Sequence, residues 1–199
     1  EAGPGIMNSG EYALNKMNRE VGERDTLKKF IGPPLTESME KYYGMSEEEA
    51  LIGVKYYREY YHDKGIYENR VYDGLEEVLK KINEAGKQAI VATSKPEKYA
   101  KIIIDHFHLT KYFACVAGME MDGGRGTKAQ VITYALEKND ITDKSKVLMI
   151  GDREHDVVGA HENGLDCLGI LYGFGSRKEF EEAGANYIRE NVEDILQFV

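Results

Sequence analysis

Two aspartates follow an apolar segment in the last third of the sequence. Asp152 and Asp156 come after the apolar residues 147–150, and Gly151 lets the chain turn sharply where that segment ends. The spacing places both carboxylates on one side of a turn and helix start, and Mg²⁺ prefers such oxygen ligands. Alternatively, both carboxylates only stabilise the positive end of a helix dipole. The pattern predicts a metal site at Asp152 and Asp156.

A pair of hydroxyl side chains, Thr93 and Ser94, ends another short and mainly apolar run, residues 88–93. We expect Pro96 to occupy the first position of the helix that follows. Free backbone N–H groups at such a helix start, together with the hydroxyl groups, suit a phosphate. Helix capping by these hydroxyl groups is the alternative.

Lys128 follows the glycine-rich residues 121–127 at a predicted helix start. A lysine opposes the helix dipole there, so we expect its ammonium group to point towards a phosphate and the carboxylates. An exposed surface lysine is the alternative. The sequence has neither the GxxxxGK[ST] nor the GxGxxG spacing, which argues against P-loop and dinucleotide sites.

The elements around these residues predict an α/β fold. Short apolar runs alternate with helices over residues 73–199, which is typical of a parallel sheet with helices on both faces. Ligands of such sheets bind at the carboxyl ends of the strands, where the three candidate groups lie. The predicted strands are 88–93, 113–117, 147–150 and 167–171, and the predicted helices are 74–85, 96–107, 128–138 and 156–163. Ser176 with Glu179 forms the pattern of another capping box, and Asn191 is a further capping signal, so two more helices are predicted.

Residues 1–72 are predicted to form a small all-helical domain. Apolar residues recur at spacings of three and four in the segments 11–17, 25–30, 35–43 and 47–61. Ser46 and Glu49 form the pattern of a capping box before the last of these segments. We expect the first few residues to be a linker.

Composition limits the partners. The chain of 199 residues has 26 basic and 35 acidic residues and a net charge of −9, which disfavours nucleic acid and anionic membranes. No apolar run reaches the roughly 18 residues that span a bilayer, and no signal peptide is recognisable. Cys115 and Cys167 each lie in an apolar run and are expected to be buried, reduced thiols. These features predict a cytoplasmic protein that is a monomer or homodimer.

The order and spacing of Thr93, Lys128 and Gly151-Asp152…Asp156 resemble the second, third and fourth motifs of the haloacid dehalogenase-like phosphohydrolases. The helical segment before them resembles the helical cap of that family, and the phosphoglycolate phosphatase-like subgroup is the most similar. The resemblance implies a Rossmann-like core, a Mg²⁺ cofactor and a small phosphomonoester substrate such as phosphoglycolate or a nucleoside monophosphate.

The resemblance also implies roles for the site residues. Thr93, with backbone N–H groups near Ser94, would hold phosphoryl oxygens, and Lys128 would offset negative charge on the nucleophile and phosphate. Asp152 would hold Mg²⁺, and Asp156 would order either the waters of the metal or Lys128. The catalytic residues are thus Thr93, Lys128 and Asp156, and Arg58 is a further candidate for binding the substrate.

One motif of the family is missing. Family members begin with a strand that ends in DxDGT, whose first Asp attacks the phosphoryl group, and no DxD occurs in these residues. Because the sequence begins with Glu1, and because that strand is central in the family, we expect a longer natural protein that supplies it. We expect the 199 residues alone to be inactive.

Two other functions stay open: a sugar-phosphate mutase of the same superfamily, and a non-catalytic binding module. Tyr56, Tyr57, Tyr60 and Tyr61 share one side of a predicted helix, where they would pack in a core or stack on a nucleobase. Arg58, together with Lys55, would either contact a substrate anion or belong to an exposed helix face.

Overall fold

The structure is a computed structural model that describes residues 1–32, 34–120 and 124–199. The chain divides into two units, Glu1–Val71 and Tyr72–Val199, which we call the helical unit and the sheet unit. Pro33 and residues 121–123, which belong to the glycine-rich stretch before Lys128, lie outside the described residues. In the described parts, no helix is both long and apolar enough to cross a membrane.

In residues 1–32 and 34–71, the helical unit contains three α-helices and two 3₁₀ turns. Ser46 and Glu49 form the predicted capping box, because each side chain accepts a hydrogen bond from the backbone N–H of the other residue. The segment predicted as a helix over 25–30 is a 3₁₀ turn. The elements are α1 Gly3–Lys16, α2 Leu35–Tyr43 and α3 Glu47–Asp63, with 3₁₀ turns at Arg24–Phe30 and Gly65–Tyr67.

Helix α1 begins at Gly3 rather than at residue 11, so most of the expected linker is helical. Close packing explains the difference. A Cβ on Gly10 would lie 2.6 Å from the Phe30 ring, and one on Gly5 would overlap the backbone of Gly65. Glycine is a poor helix former, but these tertiary contacts require small residues and outweigh its propensity.

Aromatic rings fill the interior of the helical unit. Phe30 stacks on Tyr43 with ring centroids 5.4 Å apart, and Tyr57 stacks on Tyr61 at 5.8 Å. Tyr57 and Tyr61 are both buried, so they pack in the core. Tyr60 is partly exposed, and its hydroxyl donates to Glu68 at 3.0 Å.

The sheet unit alternates helices and strands. Its elements are α4 Leu75–Glu84, β1 Ala89–Pro96, α5 Glu97–His106, β2 Phe113–Met119, α6 Lys128–Lys138, β3 Leu148–Gly151, α7 Glu154–Glu162, β4 Asp166–Ile170, α8 Arg177–Ala183 and β5 Tyr187–Arg189, with 3₁₀ turns at Thr110–Tyr112, Lys144–Lys146 and Val192–Phe198. The predicted α/β alternation is confirmed, and α6 has the predicted bounds.

Three details of this unit differ from the expectation. Pro96 is not the first residue of α5 but the extended cap before it, with ψ of 131°. The short strand β5 was not predicted, because three residues carry too little periodicity. The helix predicted after Asn191 forms, but it is a 3₁₀-helix over Val192–Phe198 rather than an α-helix.

The five strands form two separate parallel sheets within the described residues. In the first, β1 pairs with β2, and Thr93 lies opposite Gly118. In the second, β4 lies between β3 and β5. The residues of β3 before Gly151 are only half-buried, whereas Cys167–Ile170 of β4 are buried.

Apolar clusters cover both faces of the second sheet. Cys167 of β4 packs with Val157 and Phe180 of α7 and α8 on one face. Leu168, the next residue, packs with Val78 of α4 and with Ile195 on the other face. This alternation is that of a strand buried on both sides, so the helices lie on both faces as predicted.

Candidate active site at the strand ends

A buried ion pair joins helices α6 and α7. The ammonium group of Lys128, the first residue of α6, lies 2.7 Å from Oδ1 of Asp156. The two side chains are 12% and 8% exposed. A Cβ on Gly159 would lie 2.7 Å from Cγ of Lys128, so a glycine on α7 makes room for the lysine.

Lys128 also contacts the first sheet. Its Nζ donates to the backbone carbonyl of Ala92 at 3.0 Å, and Ala92 directly precedes Thr93 in β1. One ammonium group therefore connects the middle of β1 to the first turn of α7. The lysine points inward rather than into solvent, which supports the first of its two interpretations.

Asp156 organises the turn after β3. Its Oδ2 accepts hydrogen bonds from the backbone N–H groups of Asp152 at 2.9 Å and Arg153 at 3.1 Å. A Cβ on Gly151 would overlap the Asp156 side chain, so glycine is required at that position. Both carboxylate oxygens of Asp156 accept hydrogen bonds, which is the geometry of a group that positions Lys128.

Asp152 lies in the same turn under a short loop. Its Oδ2 accepts a hydrogen bond from the backbone N–H of Phe174 at 3.2 Å. A Cβ on Gly173 would overlap the Asp152 side chain. Burial raises the pKa of Asp152, and the nearby Asp156 carboxylate raises it further. A carboxylate held in this environment would be stabilised by a bound cation.

Thr93 and Ser94 lie in the second half of β1, which extends to Pro96 rather than ending at Thr93 as predicted. The Thr93 hydroxyl oxygen accepts a hydrogen bond from the backbone N–H of Lys95 at 3.2 Å. The Ser94 side chain is exposed. Burial lowers the pKa of Lys95 to about 8. The predicted phosphate-binding segment is thus part of β1, next to the carbonyl that Lys128 contacts.

The donor set fits Mg²⁺ only in part. Within residues 1–32, 34–120 and 124–199, no three His, Cys, Asp or Glu side chains form a cluster that could hold a metal ion. Mg²⁺ in phosphoryl-transfer sites is held by one or two carboxylates, with waters and phosphate oxygens completing its shell. Asp152 can serve as one such carboxylate, whereas the oxygens of Asp156 are already engaged by Lys128 and the turn.

Two other predicted or related residues lie elsewhere. Arg58 is exposed on α3 in the helical unit, and its role in substrate binding stays a prediction. Glu179 was expected to complete a capping box with Ser176, but only half of that box forms. The Ser176 hydroxyl accepts from Glu179 N, while the Glu179 carboxylate accepts from Arg153 Nε and Glu154 N, both at 2.8 Å. It therefore caps α7 from a neighbouring helix.

Comparison with known proteins agrees with the α/β fold of this chain. A family model for haloacid dehalogenase-like hydrolases matches residues 3–170. A 5'-nucleotidase from Pseudomonas aeruginosa is 40% identical over 175 residues, which cover 88% of this chain and 79% of that protein. The tyrosine-protein kinase PtkA of Mycobacterium tuberculosis is 36% identical over 172 residues, which cover 86% of this chain and 58% of the kinase.

A solved structure shows the same fold over nearly the whole chain. The crystal structure of a predicted phosphatase from Clostridium acetobutylicum is 44% identical, with a TM-score of 0.90 over 99% of this chain and 91% of that one. The match to the family model extends over most of the 199 residues. This chain belongs to the haloacid dehalogenase-like hydrolases.

Proposed function

We propose that the natural protein is a Mg²⁺-dependent phosphatase of small phosphomonoesters and that an aspartate outside these 199 residues is its nucleophile. The observation that carries the proposal is the Lys128 ammonium group, buried between the carbonyl of Ala92 and the carboxylate of Asp156. A fixed positive charge between β1 and the turn after β3 is suited to a phosphate and an attacking carboxylate.

The division of the strands between two sheets supports the inference that a further strand is present in the natural protein. Within the described residues, β1 pairs only with β2, and β3 pairs only with β4. Unpaired backbone groups at a strand edge are costly when buried, so a strand between β1 and β3 would satisfy both edges. We infer that the natural protein supplies this strand and that its carboxyl end carries the nucleophile.

The proposed reaction has two steps. The nucleophilic aspartate attacks phosphorus and breaks the ester P–O bond, and the departing alkoxide takes up a proton. Water then attacks phosphorus, which releases phosphate and restores the aspartate. Bound Mg²⁺ would neutralise negative charge between carboxylate and phosphate.

The residues of this chain would position the phosphoryl group and neutralise its negative charge. Thr93 and the N–H groups near Ser94 would hold phosphoryl oxygens, and Lys128 would balance the shared negative charge. Asp152 would hold the metal, and Asp156 would keep Lys128 in place. The helical unit would act as a cap that excludes water, with Arg58 as a substrate contact.

The nucleotidase relative favours a nucleoside monophosphate over phosphoglycolate as the substrate. A panel of phosphomonoesters, assayed with the full-length natural protein and with the 199-residue chain, tests both parts of the proposal. We expect Mg²⁺-dependent phosphate release by the full-length protein and no phosphate release by the 199-residue chain. No hydrolysis of any ester by the full-length protein would refute the phosphatase, and accumulation of a bisphosphate would indicate a mutase instead.

Asp152→Asn tests the metal assignment in the full-length protein. The variant should lose Mg²⁺-dependent activity, and it should also lose the rise in melting temperature that Mg²⁺ produces in the wild type, because an amide is a much weaker ligand than a carboxylate. Asp166→Asn, at an exposed position of β4, is the matched control. Unchanged turnover of Asp152→Asn would refute the assignment.

A further inference from the structure

Arg125 is a largely buried cation that the motifs of the site leave without a role. Its side chain is 13% exposed. Its Nε donates to the backbone carbonyl of Gly118 at 2.8 Å, and a terminal nitrogen donates to the Glu97 carboxylate at 3.1 Å. One guanidinium group therefore holds the carboxyl end of β2 and the first residue of α5.

The same guanidinium group also contacts helix α6 and its own loop. Its central carbon lies 3.7 Å from the ring centroid of Tyr134. The second terminal nitrogen lies 3.1 Å from the Glu120 carboxylate. The backbone carbonyl of Arg125 accepts a hydrogen bond from Glu120 N at 3.0 Å. A planar fork of five donors that also stacks on a ring is particular to arginine, and a lysine cannot reproduce it.

These contacts lie next to the Thr93 hydroxyl group and the Lys128 ammonium group of the candidate site. Gly118 is the residue opposite Thr93 in the β1–β2 register. Glu97 begins the helix that directly follows β1. Arg125 itself precedes Lys128 by three residues. Any shift of its guanidinium group therefore changes the spacing between Thr93 and the start of α6.

We propose that Arg125 is a positioning residue that sets the distance between Thr93 and Lys128. It does not contact the substrate but acts through Gly118, Glu97 and Tyr134. The catalytic consequence rests on the proposed phosphatase function, whereas the structural consequence does not. Two experiments distinguish the catalytic consequence from the structural one.

The first experiment measures kcat and KM of the full-length protein with p-nitrophenyl phosphate. Arg125→Ala should lower kcat by about 100-fold, as expected for a small misplacement of catalytic groups, with a smaller change in KM. Added methylguanidinium should restore part of the lost kcat. Arg125→Lys should keep the positive charge and yet have a kcat well below that of the wild type. Arg177→Ala, which removes an exposed arginine paired with Glu190, is the control and should retain wild-type kcat.

The second experiment measures backbone hydrogen exchange and needs no substrate. Arg125→Ala and Arg125→Lys should both accelerate exchange at residues 118–120 and 126–131, and Arg177→Ala should not. If Arg125→Ala does not fold, the same comparison with Arg125→Lys decides. Wild-type kcat in Arg125→Lys, or unchanged exchange in these segments, would overturn the proposal. An inactive wild-type protein with the expected exchange pattern would refute only the phosphatase.

Discussion

The helical unit and the sheet unit use charge differently. In the helical unit, the ion pair of Lys28 with Asp25 is largely exposed, and such pairs contribute little to stability. In the sheet unit, Lys128 and Asp156 form their pair in the interior, where removing two charges from water is costly. A fold that only had to be stable would gain from apolar residues at these two positions. The buried charges therefore point to function.

The interiors of the two units differ in the same way. Stacked rings such as Phe30 on Tyr43 fill the helical unit. At the site end of the sheet unit, glycines such as Gly151 and Gly159 instead leave room for charged side chains. Substitutions should consequently have larger effects around the site than at matched positions of the helical unit.

The largest contrast is expected for two Asp→Asn substitutions. Asp156→Asn leaves the buried Lys128 ammonium group without its counter-charge, so the free energy of unfolding should fall by about 3–5 kcal/mol. Asp25→Asn, in an exposed pair, should change it by less than about 1 kcal/mol. Urea denaturation of the full-length protein, followed by circular dichroism, measures both values. Equal values would remove the contrast between the units.

Two Lys→Met substitutions should separate the units by activity. Under the proposed function, Lys128→Met removes the charge that faces the nucleophile and the phosphate, so kcat should fall by about 100- to 1000-fold. Lys28→Met, in the helical unit, should leave kcat at the wild-type level. Steady-state hydrolysis of p-nitrophenyl phosphate by the full-length protein is the measurement. A near-normal rate for Lys128→Met would mean that this lysine is structural.

Two Gly→Ala substitutions compare how the interiors of the two units accommodate an added methyl group. In Gly159→Ala the new Cβ meets Cγ of Lys128 at 2.7 Å and the backbone nitrogen of Ala129 at 3.1 Å. Overpacking of this kind costs about 1–3 kcal/mol. In Gly53→Ala the Cβ meets the sulfur atoms of Met39 at 2.6 Å and Met17 at 3.0 Å, and these flexible side chains can move.

We therefore expect a lower free energy of unfolding for Gly159→Ala and little change for Gly53→Ala. Alanine gains about 1 kcal/mol over glycine in a helix at both positions, so this gain cancels in the comparison. Thermal and urea unfolding of the two variants give the answer. The interpretation of Gly159 as the space for Lys128 fails if its alanine variant is the more stable of the two.

A pH dependence of the free energy of unfolding is expected from Lys95. Burial lowers the pKa of Lys95 to about 8, so the folded state releases this proton more readily than the unfolded state. The free energy of unfolding should then rise as the pH increases from about 8 towards the unfolded lysine pKa of about 10.4. Lys95→Met should lack this rise, and the exposed Lys28→Met should keep it. Urea denaturation at several pH values in this range measures the slope.

Local signals in the sequence predicted much of the fold. The bounds of α6 and the capping box of Ser46 and Glu49 depend on residues a few positions apart, and both are confirmed. The glycine-rich start of α1 was missed, because its helix depends on contacts of Gly5 and Gly10 with distant segments. Strand β5 was missed because its three residues carry no clear pattern.

The candidate site shows the same limit. The spacing of Asp152 and Asp156 drew attention to both carboxylates, but it left Asp156 with two possible roles. The structure favours contact with Lys128, because both oxygens of Asp156 accept hydrogen bonds from that lysine and from its own turn. The capping role of Glu179 towards α7 could not be inferred, because its partners are more than twenty residues away.

The sequence by itself determined which elements form, in what order, and which chemical groups stand at the ends of the strands, because backbone propensity, apolar periodicity and capping act over a few residues. Only the tertiary structure decided which of these groups meet. Lys128 reaches the carbonyl of Ala92 and the carboxylate of Asp156 because packing brings together segments that are 36 and 28 positions away from it. Burial then turns an ordinary charge pair into a fixed electrostatic centre.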